Sequence, residues 1–245
     1  MAVTVVLLAA GYATRLYPLT TDRPKALLPL DSGTILDAVL STVHTVDGVR
    51  KRLLVTNHRF AGQFAQWQRA TGAGVEVVDD GTQTPETRLG AIRDLALARR
   101  ATDPGDDLLV VGTDNVFRWR LADFVKDARR VAPAPSIALW LAPSSEAARP
   151  FGVVTREASG RITSFVEKSS QPPSREVALC VYYFPAPVCD TIETFLQGGG
   201  NADAPGYFLE WLVRREAVYG VMMPGAWYDI GTLETYQAML KEWRL

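Results

Sequence analysis

The chain has 245 residues and a mass of 26.9 kDa, enough for one large α/β domain or two small ones. Lysine and arginine number 26 against 27 aspartates and glutamates, a net charge of −1, so the concentrated positive charge that a nucleic-acid or anionic-membrane partner needs is missing. With 47% hydrophobic and 22% charged residues, disordered and fibrous classes drop out. The longest apolar stretch, Val3 to Ala10, is far shorter than the ~20 residues of a membrane helix. No lysine or arginine precedes it and arginine-bearing polar sequence follows at once, unlike a signal peptide, so a cytoplasmic protein is expected. Cys180 and Cys189 lie nine positions apart without the paired spacing of a zinc site or disulfide framework, and read as two buried thiols. The two histidines, His44 and His58, leave little for a histidine triad or a histidine-rich metal site.

In chain order, β-branched runs alternate with amphipathic segments, as a parallel sheet with crossover helices requires. Val3 to Ala9 is the first predicted strand. Thr34 and Asp37 form a capping box ahead of a helix with Ile35, Leu36, Val39, Leu40 and Val43 on one face. Leu53 to Thr56 is the second strand, Phe60, Phe64 and Trp67 make a helical stripe, and Val75 to Val78 is the third strand. A helix follows on Leu89, Ile92, Leu95 and Ala96, then a strand from Leu108 to Val111. Leu121, Phe124, Val125 and Ala128 mark a helix that Pro133 and Pro135 terminate before the strand Ser136 to Leu141. From Pro150 the rhythm changes: Gly152 to Thr155 and Arg161 to Glu167 flank Ala158-Ser159-Gly160 as a hairpin. Val177 to Phe184 reads as a strand, Val188 to Leu196 as a helix, and Gly198 to Gly206 as a mobile loop. Helices over Tyr207 to Arg215 and Thr232 to Trp243, with a strand at Val218 to Met222 between them, complete the chain. No internal repeat and no long linker divides it, so one domain over residues 1–245 is expected, with parts at 1–149 and 150–245.

The segment Leu8 to Leu30, LAAGYATRLYPLTTDRPKALLPL, puts a small-residue turn directly after a buried strand, followed by two cations, Arg15 and Lys25. Such a turn lets backbone N–H groups approach phosphate oxygens, and a loop after a buried strand is where α/β sheets bind ligands. It is neither a Walker A loop nor a GxGxxG fingerprint. The segment resembles the nucleotide-sugar pyrophosphorylase family, whose Gly-x-x-Thr-Arg-Leu-x-Pro-Leu-Thr run ends in Pro-Lys: Gly11, Thr14, Arg15, Leu16, Pro18, Leu19, Thr20, Pro24 and Lys25 all fit. Leu109 to Asn115 resembles the family's strand ending in Gly-Asp-Asn, with Asp114 as the aspartate and Thr113 where glycine is usual. Phe151-Gly152-Val153-Val154 and Glu167-Lys168 resemble its aromatic-Gly-Val-Val strand and its Glu-Lys pair. Trp227-Tyr228-Asp229-Ile230-Gly231-Thr232 is similar to its Trp-x-Asp-Ile-Gly-Thr.

The resemblance implies a Rossmann-like three-layer α/β/α fold with a central, mostly parallel mixed sheet and a small β-rich acceptor-binding part. It implies Mg²⁺-dependent attack of a sugar 1-phosphate on the α-phosphorus of a nucleoside triphosphate, giving an NDP-sugar and pyrophosphate. Two polyanions must meet, so catalysis is mostly positioning and electrostatics, and a phosphomonoester dianion needs no protein base. The roles implied are Arg15 and Lys25 on the β- and γ-phosphates, Lys168 on the attacking phosphate, and Asp114 with Asp229 on Mg²⁺. Leu8, Ala10, Gly11, Thr14, Gly81, Gln83 and Gly90 fall on the nucleotide side; Asn115, Gly152, Glu167, Tyr182 and Trp227 fall on the acceptor side. The loop Asp79 to Arg88 lies where the family reads the base, and Gln83 is either such a reader or part of a surface turn. Cys180 stands where the family usually has glycine, narrowing or reshaping the sugar pocket, and Asp203 to Gly206 either closes over the acceptor or is merely a loop. Two alternatives stand beside this reading. One is a CTP-dependent cytidylyltransferase for phosphocholine or a phosphonate, for which Tyr182, Tyr183, Trp211 and Trp227 supply aromatics. The other is a non-catalytic nucleotide-sugar-binding regulatory domain, which would be marked by loss of Lys25, Asp114 or Asp229; all three are present. The expected partners are a nucleoside triphosphate and a phosphorylated small-molecule acceptor, with no nucleic acid and no membrane, in a monomer or homodimer.

Overall fold

The computed structural model describes residues 2–243. Its strands are β1 (Val3–Leu8), β2 (Pro29–Leu30), β3 (Gly33–Thr34), β4 (Val49–Thr56), β5 (Glu76–Asp79), β6 (Asp107–Gly112), β7 (Asn115–Phe117), β8 (Ser136–Leu141), β9 (Gly152–Arg156), β10 (Ile162–Glu167), β11 (Glu176–Phe184), β12 (Tyr219–Met222) and β13 (Trp227–Asp229). Its helices are α1 (Ile35–Val43), α2 (His58–Thr71), α3 (Ala91–Arg100), α4 (Leu121–Arg130), α5 (Ser145–Ala148), α6 (Ala186–Cys189), α7 (Thr191–Gln197), α8 (Pro205–Val213) and α9 (Leu233–Trp243).

Parallel strands β5, β4, β1 and β6 lie side by side, and β11 continues the sheet antiparallel to β6. One edge of β11 pairs along its length with β8, which β12 joins in parallel. Its other edge is divided: Val181 to Phe184 pair with β6, whereas Glu176 and Val177 pair with β9 of the β9–β10 hairpin. The sheet therefore opens between β6 and β9, beside the carboxyl ends of β1 and β6. That is the crevice in which open α/β sheets bind ligands.

Alternation along β1 decides which layer each side chain joins. Val3, Val5 and Leu7 pack with Leu36, Val39 and Leu40 of α1, Phe60 and Phe64 of α2, and Phe124 of α4. Val6 packs on the other face with Ile92 and Leu95 of α3 and Phe208 and Leu209 of α8. Each such side chain, fully buried, contributes about 1.5–3 kcal/mol. A third cluster joins Leu16, Leu28, Ile35, Val116, Ile230, Tyr236 and Met239, binding the loop after β1 to the β7–β13 ladder and α9. The capping box of α1 forms as expected, with the Asp37 N–H donating to Thr34 Oγ1 at 3.2 Å and the Thr34 N–H to Asp37 Oδ2 at 2.8 Å.

Three expectations change. The segment Val188 to Leu196 is not one helix, because the chain breaks at Asp190 between α6 and α7, with Arg99 paired to Asp190 at 3.4 Å. Helix α3 starts at Ala91 rather than Leu89, since Gly90 has φ +89° and a Cβ there would lie 2.5 Å from the Ala202 carbonyl oxygen. The predicted mobile loop Gly198 to Gly206 is pinned instead. The Ala202 and Asp203 carbonyls accept from the N–H groups of Ile92 and Ala91 at 3.0 and 3.3 Å, satisfying donors that a helix N-terminus otherwise leaves orphaned. No helix among the described residues is long and apolar enough to cross a membrane.

Candidate active site

Beyond β1 the backbone leaves the sheet at Ala10, whose carbonyl accepts from Asn57 Nδ2 at 3.0 Å. Ala13 takes the left-handed conformation at φ 50° and is held there by the Thr20 hydroxyl, which donates to its carbonyl at 2.8 Å. Fully buried Leu16 anchors the following turn, Thr14–Leu16. Arg15, on the same turn, is exposed and has no ion-pair partner among the described residues. The neighbouring strand end is fastened to this loop by Thr113, whose hydroxyl and N–H both donate to the Leu8 carbonyl, at 2.8 and 3.2 Å. The threonine at a position where glycine was expected thus has a structural role: it joins the tips of β1 and β6.

Asp114 follows directly. Its Oδ2 accepts from Lys25 Nζ at 2.8 Å and its Oδ1 from Asn115 Nδ2 at 2.8 Å. Burial pushes the Asp114 carboxyl up, but the charge and hydrogen bond of Lys25, with the Asn115 amide, outweigh this and hold it below the usual range. The short ladder β7–β13 sets Asp229 opposite Asn115, bringing a second carboxylate beside Asp114. Burial, then the charge of Asp114, push Asp229 up to about 6, against the opposing pull of Lys25 and Arg15. Asn115 Oδ1 accepts from Trp227 Nε1 at 2.8 Å and from the Cys180 N–H at 3.4 Å. The latter sits where the register of β11 shifts between Ala178 and Tyr182. Burial, then Asp114, push the Cys180 thiol up to about 12, so it stays protonated and is no nucleophile.

On the far side of the opening, β10 delivers Glu167 and Lys168. Lys168 is exposed at φ 50°, and its Nζ is 3.8 Å from Glu167 Oε1. Burial pushes the Glu167 carboxyl up. It occupies space that exists because residue 206 is glycine, since a Cβ there would lie 1.8 Å from Glu167 Oε2. Gly152 serves Phe165 in the same way, its Cβ position lying 2.4 Å from the ring. Phe151 meets Trp227 edge-on at 5.1 Å between ring centroids. Tyr182 is buried and stacks on Phe184 at 5.7 Å.

These elements surround one cleft of about 470 Å³. Leu8, Ala10, Gly11, Arg15, Gly90 and Asp114 line it, as do Asn115, Gly152, Glu167, Lys168, Tyr182, Trp227 and Asp229. Four predicted site residues lie off its walls: Thr14, Lys25, Gly81 and Gln83. Lys25, expected as a phosphate ligand in an exposed loop, has a side chain only 17% exposed and donates to Asp114 and, at 2.9 Å, to the Ile230 carbonyl. Gly81 and Gln83 are exposed in the loop after β5; the residue of that loop held inward is Thr82, hydrogen-bonded to Tyr12 Oη at 3.1 Å.

Sequence reasoning did not single out three polar residues of the same cleft, Asp94 and, within the loop Asp79 to Arg88, Asp80 and Arg88, and it left open the role of Asp203. Arg88 Nε donates to Asp203 Oδ1 at 2.9 Å, linking the loop before α3 to the segment before α8. Asp94 had a visible signal, a charge set between Ile92 and Leu95 on the apolar face of α3.

Comparison with known proteins agrees with this architecture. A glucose-1-phosphate adenylyltransferase from Mycolicibacterium vanbaalenii is 29% identical over 265 residues, an alignment covering 94% of this chain and 64% of that protein. The chain thus spans a little under two thirds of that relative's length. A Bacillus anthracis protein solved with sucrose, provisionally named a glucose-1-phosphate thymidylyltransferase, superposes with a TM-score of 0.85 at 20% identity, covering 99% of this chain and 96% of that one. A UDP-glucose pyrophosphorylase complexed with UDP-glucose superposes with a TM-score of 0.82 at 17% identity, covering 100% and 99%. At those identities the two structures establish the fold. The family model described as nucleotidyl transferase matches residues 4–243, and the chain belongs to that family.

Proposed function

We propose that this protein joins a nucleoside triphosphate to a sugar 1-phosphate, releasing pyrophosphate and forming an NDP-sugar. The observation that carries this reading is a single cleft into which two cations, Arg15 and Lys168, and two adjacent carboxylates, Asp114 and Asp229, all open. An oxygen of the sugar phosphate forms a bond to the α-phosphorus as the bond from that phosphorus to the β-phosphate oxygen breaks, and pyrophosphate carries away the electron pair. Arg15, free of ion pairs among the described residues, meets the β- and γ-phosphates and the charge that grows on the leaving group. Lys168 draws in and aims the attacking phosphate, and Glu167 accepts hydrogen bonds from sugar hydroxyls. Lys25 acts through Asp114, fixing its carboxylate and the Ile230 backbone. Donors held in place before reaction need no reorganisation as charge develops, which makes each worth about 3 kcal/mol or more.

The donor set suits Mg²⁺. Burial, then the charge of Asp114, raise the Asp229 carboxyl, and a divalent cation would offset both by binding its charged form. Among the described residues no cluster of three metal-ligating side chains exists, and a hard cation that takes one or two carboxylates and completes its shell with phosphate oxygens and water needs none. Asp114 and Asp229 would hold it, and when bound it would supply charge neutralisation at the α-phosphate. The near-neutral net charge supports a reading in which the substrates are free small molecules rather than nucleic acid or an anionic membrane surface.

The names of the relatives differ in the nucleotide, so the test is a pyrophosphate-release screen of five triphosphates against sugar 1-phosphates, phosphocholine and phosphonates. Turnover with a sugar 1-phosphate supports the reading, and no release with any pair overturns it. Phosphocholine is the second reading because Phe151 and Trp227 line the acceptor end and aromatic faces attract a trimethylammonium group. Release with phosphocholine alone would favour it.

A further inference from the structure

At the end of the cleft bounded by β5 and α3, two carboxyls face each other with no lysine or arginine paired to either among the described residues. Asp80 follows β5, and its Oδ1 accepts from both the N–H and the hydroxyl of Thr82, each at 2.7 Å. Asp94 sits in the first turn of α3, 6% exposed, within hydrogen-bonding reach of Asp80. Its Oδ1 is buried and has no hydrogen-bond partner among the described residues. An orphaned acceptor in so buried a residue is costly unless a ligand completes it.

We infer that this pair selects the nucleobase, and that it takes bases carrying an exocyclic amino group, with Asp94 accepting the amino N–H and Asp80 holding Asp94 in place. The inference rests on the nucleotidyltransferase reading above and names the substrate class of the same site. The carboxyls exclude the triphosphate tail, since like charges repel, so an uncharged part of the nucleotide must lie against them. Thr82 occupies Oδ1 of Asp80, and the buried Oδ1 of Asp94 meets no donor among the described residues. Burial, then the charge of Asp80, push the Asp94 carboxyl up. What the pair presents to a ligand is the unfilled Asp94 acceptor. Adenine, cytosine and guanine offer an amino donor. Uracil and thymine offer carbonyl oxygens on either side of their single N–H, and those oxygens would meet carboxyl oxygens. Arg88, which also lines the cleft, is engaged by Asp203.

The test is equilibrium titration of the whole protein, with Mg²⁺ and without acceptor, using ATP against ITP and CTP against UTP. Each pair exchanges an amino group for a carbonyl at almost constant size. The preferred pair should favour its amino member by roughly tenfold or more, the range for a hydrogen bond to a charged acceptor. Asp94→Asn, whose amide donates where the carboxylate accepted, should erase or invert that ratio at unchanged melting temperature. Tightest binding of UTP or dTTP overturns the inference, and so does equal weakening of both members of a pair by Asp94→Asn. If a 2′-deoxy analogue instead loses the affinity that Asp94→Asn removes, the pair reads the ribose and the inference fails. Should the variant not fold, the wild-type ratios decide alone. If no triphosphate binds at all, the parent reading fails with it, an outcome distinct from binding without selectivity.

Discussion

Replacing Lys25 by methionine keeps the length of the side chain and removes its charge. Asp114 then loses its ion pair and the Ile230 carbonyl loses a donor. Stripping the partner from a fully buried ion pair costs about 3–5 kcal/mol. Because the Asp114 side chain is 34% exposed, water recovers part of this, and about 2 kcal/mol remains, or roughly 4–8 °C in melting temperature for a chain of this size. The loss has a pH signature. In the wild type Asp114 is held below its unfolded value, so its contribution is present above about pH 4 and is lost as pH falls through the folded value. Asp229 has the opposite sign. Raised from 3.8 to about 6, it binds a proton more readily when folded, so stability falls as pH rises between those values, by on the order of 3 kcal/mol. Lys25 opposes the rise of both carboxyls, and its removal lifts both. The melting deficit of Lys25→Met should therefore be smallest below pH 4 and grow to its full size by pH 8, while turnover at saturating substrate drops by about 10²–10³. Thermal melts across that range measure it. A deficit independent of pH, or wild-type stability at pH 8, would show that Lys25 does not hold the carboxylates.

Asp229→Asn should raise the melting temperature at pH 7.5 by removing a buried charge and its repulsion with Asp114, yet abolish Mg²⁺-dependent turnover; unchanged stability or retained activity in the same preparation contradicts this. Asp114→Asn should also abolish turnover but lower stability, since Lys25 loses its partner, and chelation should silence the wild type. Lys168→Ala should weaken the sugar phosphate roughly 10- to 150-fold in calorimetric titration and leave triphosphate affinity intact, because the side chain is exposed at the acceptor end. Gly206→Ala places a carbon 1.8 Å from Glu167 Oε2 and should destabilise by about 1–3 kcal/mol while impairing the acceptor before the nucleotide; a melt and two titrations check both.

The frame was legible because periodicity is a local property. Strands β1, β4, β6 and β11 are long enough to alternate or run apolar, and α1, α2 and α4 carry complete apolar faces. The ladder β7–β13 was not legible, since three residues carry no period. It nevertheless sets Asp229 beside Asp114 and so creates the electrostatics of the site. The sequence named both aspartates through a resemblance; only their pairing across more than a hundred residues explains why one is held low and the other high. Lys25 illustrates the limit from the other side. As a loop lysine after Pro24 it reads as exposed, and what turns it inward is Asp114, 89 positions away. Asp94 was hidden for a third reason, because a charge on the buried face of a helix looks like a flaw in an amphipathic pattern. Sequences tolerate such a flaw where something outside the chain completes it, and in this protein it opens onto the cleft.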